Sequence, residues 1–127
     1  MTITPIYAAL LTLLYFVLSW RVIGYRRAHL ISLGDNGDKA LRKRMRAQAN
    51  FIEYVPLALI LMLLAEGRGA PPLALHALGL ALLAGRGLHA YGFSSTPQKI
   101  ILRQIGMVLT FAVLLLAALG LLGHALF

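Results

Sequence analysis

Four long apolar runs are the feature that most constrains how this chain of 127 residues can fold. They cover about residues 3–23, 47–65, 71–91 and 101–125, and each is close to the roughly 20 residues that a helix needs to cross a bilayer core. The runs are continuous and rich in leucine and alanine, and an open sheet would leave its backbone hydrogen bonds unmade in lipid. The sequence therefore predicts an all-α integral membrane protein, a four-helix bundle built from one domain over residues 1–127.

The composition supports the same class of protein. Sixty per cent of the residues are hydrophobic and only 13% are charged, which is about half the charged share of an ordinary soluble domain. A soluble domain of this size has too much surface to bury so many apolar side chains, so the composition excludes disorder and disfavours a soluble globule. The chain has no cysteine, which excludes a disulfide scaffold.

The positive charge is concentrated between the apolar runs. The net charge is +8, but residues 1–20 and 104–127 carry no charge, and eight of the twelve Lys and Arg residues lie within 21–46. A basic loop between apolar spans is a membrane pattern and not a nucleic-acid-binding one. The third loop, residues 92–99, is also followed by cations, whereas the second loop, 66–72, is nearly neutral. The positive-inside rule then predicts cytoplasmic first and third loops, with both termini outside.

Glu53 is the first polar group expected at membrane depth. A carboxylate there costs about 2.5–3.5 kcal/mol unless it is paired or hydrated. Arg46, Asn50 and Glu53 are spaced i, i+4 and i+7 and therefore share one face of the second helix. On residue type alone, an Arg–Glu ion pair that stabilises the bundle explains this spacing as well as a binding site does.

A second set of polar residues lies at the cytoplasmic ends of the third and fourth spans. Arg86 and His89 end the third span, and Arg103 begins the fourth. Each arginine alone is explained by snorkelling to phosphate headgroups, and His89 alone by a satisfied interfacial histidine. With Arg26 and Arg27 they predict a guanidinium-rich pocket, which suits an anion with more than one carboxylate or phosphate. No metal site is predicted, because cysteine and paired His/carboxylate motifs are both missing from the sequence.

The second-helix residues resemble the signature of a known family. The segment 46–57, RAQANFIEYVPL, resembles that of the MAPEG family, the membrane-associated proteins in eicosanoid and glutathione metabolism. The segments 85–92, GRGLHAYG, and 103–107, RQIGM, resemble bacterial members of the family, and the resemblance covers nearly the whole chain. It implies a homotrimer in a bacterial inner membrane that binds glutathione between adjacent subunits near the cytoplasmic face.

The resemblance also implies a role for each matching residue. Arg46 would bind a glutathione carboxylate, Glu53 would take the ammonium group, and Arg103 would stabilise the thiolate. A second catalytic arginine is implied at Arg27. Further contacts to glutathione are implied for Arg26, Gln48, Asn50, Tyr54, Arg86 and His89.

The activity implied by the resemblance is that of a glutathione transferase or peroxidase acting on lipophilic electrophiles, with glutathione as co-substrate. The glutathione thiolate would attack the electrophile or reduce a hydroperoxide. A chain that has no cysteine of its own would borrow its sulfur nucleophile from glutathione.

Two departures from the family pattern favour an alternative function. Ala49 stands where some relatives carry an arginine, and Phe93 stands where relatives carry a tyrosine, although Tyr91 offers a phenol from a different angle. The alternative is a non-catalytic ligand-binding or scaffold protein of the same family. A small proton-coupled exporter fits the size and Glu53, but such proteins carry their carboxylate in the first helix, which here has none.

Overall fold

The computed structural model describes residues 2–127, and within them the chain forms four helices and no strand. The helices are α1 (Ile3–His29), α2 (Lys39–Gly67), α3 (Pro72–Ser94) and α4 (Ile100–Leu126). Each is long and apolar enough to cross a membrane, so the predicted all-α membrane bundle is confirmed. α2 begins eight residues before the apolar run that starts at residue 47, because the basic segment continues the same helix.

Asp38 sets the start of α2. Its side chain accepts hydrogen bonds from the amides of Ala40 at 2.9 Å and Leu41 at 3.2 Å, which satisfies two of the donors that a helix N-terminus leaves unpaired. The Tyr25 hydroxyl, on the last turns of α1, donates to the other carboxylate oxygen at 2.6 Å. One carboxylate thus begins α2 and ties it to the end of α1.

The hydrogen bond from Tyr25 makes this contact sensitive to acid. It is the main reason why the pKa of Asp38, which lies outside the spans, is lowered from its ordinary value, and the amides of Leu41 and Ala40 add to the effect. A lowered folded-state pKa stabilises the fold above the unfolded value of about 3.9, and this stability is lost as the pH falls through the folded value. We expect the thermal midpoint of the wild type to drop more steeply below about pH 4 than that of Asp38→Asn, which still caps the helix but does not titrate. Equal slopes for the two proteins would contradict this assignment.

Glu66 joins α2 to α1 at the opposite end of the bundle. Its carboxylate accepts from the amides of Thr2 at 2.6 Å, Ile3 at 2.8 Å and Thr4 at 2.7 Å. These are free donors of the first turn of α1, and a carboxylate at this position also faces the positive end of the helix dipole. Both ends of the α1–α2 pair are therefore held by a carboxylate.

The core lies where α2 packs against each of the other three helices. α3 and α4 approach most closely, because glycines leave room for the neighbouring backbone. A Cβ on Gly106 would collide with the carbonyl of Gly85 and the backbone of His89. One on Gly92 would lie 2.6 Å from the backbone nitrogen of Arg103. This close approach sets the register that brings the polar residues of α3 and α4 together.

Candidate functional site

Arg86 lies at the centre of the polar cluster and is only 1% exposed. Its Nη2 donates to Oδ1 of Asn50 at 2.6 Å and lies 3.4 Å from Nδ1 of His89, while its Nη1 donates to Oγ1 of Thr110 at 3.3 Å. The Met107 sulfur lies 3.6 Å from Nη1. Helices α2, α3 and α4 therefore each contribute a side chain that surrounds this guanidinium, which does not snorkel to the headgroups.

The hydrogen-bonding partners of Arg86 within residues 2–127 are all uncharged. The ion pairs in this part of the chain are Arg42 with Asp35 and Arg46 with Glu53, and Nε of Arg86 has no partner. A buried charge without an opposite charge is costly. The cluster consequently places a positive charge inside the bundle that the chain itself does not neutralise.

Hydrogen-bond chemistry fixes the orientation of the groups around Arg86. A guanidinium can only donate, so Nδ1 of His89 accepts, and a neutral His89 carries its proton on Nε2. Thr110 donates its hydroxyl hydrogen to the carbonyl of Gly106 at 2.8 Å, which leaves its oxygen free to accept from Arg86. His89 therefore offers a hydrogen-bond donor, Nε2–H, to any ligand that reaches it.

Arg46 and Glu53 form an ion pair on the outward face of α2. Nη2 of Arg46 lies 3.3 Å from Oε1 of Glu53, and both side chains are about half exposed, at 50% and 46%. The interpretation as an ion pair is thus realised in the structure. Asn50 lies on the same side of the helix but turns inward to Arg86, so α2 connects the exposed pair to the buried cation.

Phe93 lies between His89 and Arg103. The Arg103 guanidinium carbon is 4.3 Å from the centre of the Phe93 ring. The centre of the His89 ring is 5.7 Å from the centre of the same phenyl ring. The Phe93 ring is therefore a cation–π platform for Arg103. It holds Arg103 near the start of α4, close to the buried cluster.

Arg26 and Arg27 do not join this cluster within the single chain. Arg26 donates to the carbonyl of Gly34 at 2.7 Å and lies 3.4 Å from the sulfur of Met45, so it braces the first loop. Arg27 is exposed at the end of α1. Their implied contacts with glutathione remain predictions.

Gln48 and Tyr54 make helix-to-helix contacts in the single chain. Gln48 donates to the hydroxyl of Ser19 at 3.0 Å, between α1 and α2. Tyr54 packs its ring edge-on against Phe111 of α4, with ring centres 5.4 Å apart. The roles that the resemblance implies for these two residues also remain predictions.

Thr110 and Met107 are contacts of Arg86 that the sequence reasoning missed. Thr110 is the only hydroxyl residue in the sequence of α4, and it follows Gly106 by one turn. A lone hydroxyl in an otherwise apolar span, beside a glycine that admits a neighbouring helix, is the signal that points to it. His76 shares a 2.8 Å hydrogen bond with the Tyr7 hydroxyl near the other end of the bundle.

These features define a small membrane protein whose helix bundle encloses a cationic site near one end. The chain matches the model of the MAPEG family over residues 4–123, and it belongs to that family. It is 37% identical to the inner membrane protein YecN of Escherichia coli K12 over 118 residues, covering 93% of this chain and 88% of YecN. YecN of Escherichia coli O6:H1 matches to the same extent. The family resemblance and the prediction of an integral inner-membrane protein are therefore confirmed, while its orientation stays a prediction.

Proposed function

We propose that this protein binds glutathione beside α2 and uses the glutathione thiolate against lipophilic electrophiles or hydroperoxides. The observation that carries the proposal is the half-exposed Arg46–Glu53 pair beside the buried, unneutralised Arg86. Glutathione carries two carboxylates and one ammonium group. A surface with two guanidinium groups and one carboxylate at a similar depth matches that distribution of charge.

The exposed ion pair also favours a site formed by more than one copy of the chain. Two charged side chains at membrane depth are costly when they face hydrocarbon. We propose a homotrimer in which an adjacent subunit covers this face of α2 and encloses the ligand. Arg26 and Arg27, which do not reach the cluster of their own chain, would contact glutathione across such an interface.

Arg103 is the group that we assign to the sulfur. A free thiol has a pKa of about 8.5, and a guanidinium beside it favours the thiolate. With an electrophilic substrate, the sulfur forms a bond to carbon and the leaving group departs with its bonding pair. With a hydroperoxide, two glutathione molecules are oxidised to the disulfide while the hydroperoxide is reduced to an alcohol and water.

Phe93 favours the second candidate function, a protein of the same family that binds ligand without catalysis. The phenyl ring covers one face of the Arg103 guanidinium and supplies no phenolic hydroxyl. Arg103 would then stabilise the helix ends and leave the glutathione sulfur protonated. Turnover, and not binding, separates the two functions.

Purified full-length protein in detergent tests the proposal. We expect saturable binding of glutathione by calorimetry, conjugation of chlorodinitrobenzene, and reduction of cumene hydroperoxide. Glu53→Gln should weaken binding at least about tenfold, because one charge-assisted hydrogen bond is worth about 1.5–3 kcal/mol. Asp35→Asn makes the same change in the first loop and should leave binding unaltered. Binding without turnover would favour the non-catalytic function, and absence of binding would contradict the proposal.

A further inference from the structure

A cavity lies at the end of the bundle opposite to the Arg86 cluster. Its volume is about 290 Å³, and its walls come from the end of α2, the start of α3 and the last turns of α4. The residues that shape it include Ala65, Arg68, Ala74, Ala117, Gly120 and His124. The polar cluster lies instead towards the start of α2 and the end of α3, so the two sites are separate.

Small residues create the space in this cavity. A Cβ added to Gly120 would meet no atom within 4 Å, and alanines supply much of the remaining wall. Leu78 and Leu116 also line it. The result is an apolar slot in the side of a membrane bundle, of a kind that a hydrocarbon chain can enter.

One cationic side chain, Arg68, and one histidine, His124, line the slot close to helix ends. Arg68 directly follows the end of α2 at Gly67, and His124 is in the last turn of α4. The acidic residue nearest to Arg68 in sequence, Glu66, is occupied by the three amides at the start of α1. Arg68 forms no ion pair within residues 2–127, so its charge is open to an external anion.

We propose that this cavity binds an anionic phospholipid, with the headgroup phosphate on Arg68 and one acyl chain in the slot. Arg68 lies where a membrane helix ends, at the level where lipid phosphates are abundant. Guanidinium groups bind phosphate oxygens in a bidentate manner. The proposal is independent of glutathione binding, because it uses none of the residues of the other site.

Thermal unfolding of the delipidated, full-length protein in detergent tests the choice of ligand. We expect phosphatidylglycerol to raise the thermal midpoint by about 5 °C when its concentration is well above the dissociation constant. Phosphatidylcholine brings the acyl chain without net charge, and inorganic phosphate brings the charge without the chain. An equal shift with either of these would overturn the proposal.

Two matched pairs of variants test the location of the site. Gly120→Leu fills the slot, whereas Gly123→Leu makes the same change at a glycine of α4 that also has open space around it but does not line the cavity. Arg68→Gln removes the cation, and Lys39→Gln removes one at the other end of the bundle. We expect the shift with phosphatidylglycerol to be lost in Gly120→Leu and Arg68→Gln and kept in both controls. A full shift in Arg68→Gln would overturn the proposal even if Gly120→Leu failed to fold.

Discussion

Replacing Asn50 with leucine is expected to destabilise the folded protein by about 2–3 kcal/mol. The Asn50 oxygen accepts the shortest hydrogen bond from Arg86, at 2.6 Å. None of the groups that accept from Arg86 is a carboxylate. Loss of the Asn50 oxygen leaves a buried guanidinium with the longer contacts to Thr110 and His89. A buried charge that has lost a hydrogen bond and is not solvated by water destabilises the folded state. The free energy of unfolding in detergent micelles, measured with denaturant, is the appropriate readout.

Replacing Arg86 as well should recover much of that loss. Arg86→Met removes the buried charge itself, and apolar replacements of buried ionic groups are often tolerated. We therefore expect the double variant Asn50→Leu/Arg86→Met to be more stable than Asn50→Leu alone. Gln48→Leu is the matched control, because it breaks one neutral hydrogen bond to Ser19, worth about 1 kcal/mol. If Asn50→Leu were no worse than this control, Arg86 would not depend on Asn50.

The helices were predictable because lipid leaves a chain few ways to satisfy its backbone. Runs of apolar residues therefore located the spans, whereas α2 begins eight residues before its apolar run, at Lys39. The caps were less predictable. Asp38 is a suitable cap by residue type, but the bond between Glu66 and the start of α1 joins residues more than 60 positions apart. Only the packing of the two helices reveals it.

The division of the polar residues between an inner and an outer face could not be predicted from spacing. Asn50 and Glu53 differ by about 60° around an α-helix, so both belong to one broad face. The structure separates them: Asn50 turns to Arg86, while Glu53 stays half exposed beside Arg46. The contact with Thr110 depends on the register of α3 against α4, which glycines determine. Pairwise spacing within one helix carries no information about that register.

Arg103→Ala is expected to lower the turnover number by about a hundredfold, the scale seen when a preorganised donor to a developing charge is removed. Its effect on glutathione affinity should be much smaller, because we assign it to the sulfur and not to the carboxylates. Arg46→Ala should do the reverse, weakening glutathione binding at least about tenfold while the turnover number at saturating glutathione changes little. Steady-state kinetics together with calorimetric binding measure both quantities for each variant.

The dependence of the rate on pH tests why Arg103 matters. If the guanidinium acts by stabilising the thiolate, the wild type should reach its full rate at a lower pH than Arg103→Ala, in which the sulfur ionises nearer its ordinary pKa of about 8.5. Arg103→Lys keeps the charge and should lie between them. A merely structural role, resting on the contact between Arg103 and Phe93, would lower the rate equally at every pH. Identical kinetic profiles for Arg103→Ala and Arg46→Ala would show that the two arginines do not have separate roles.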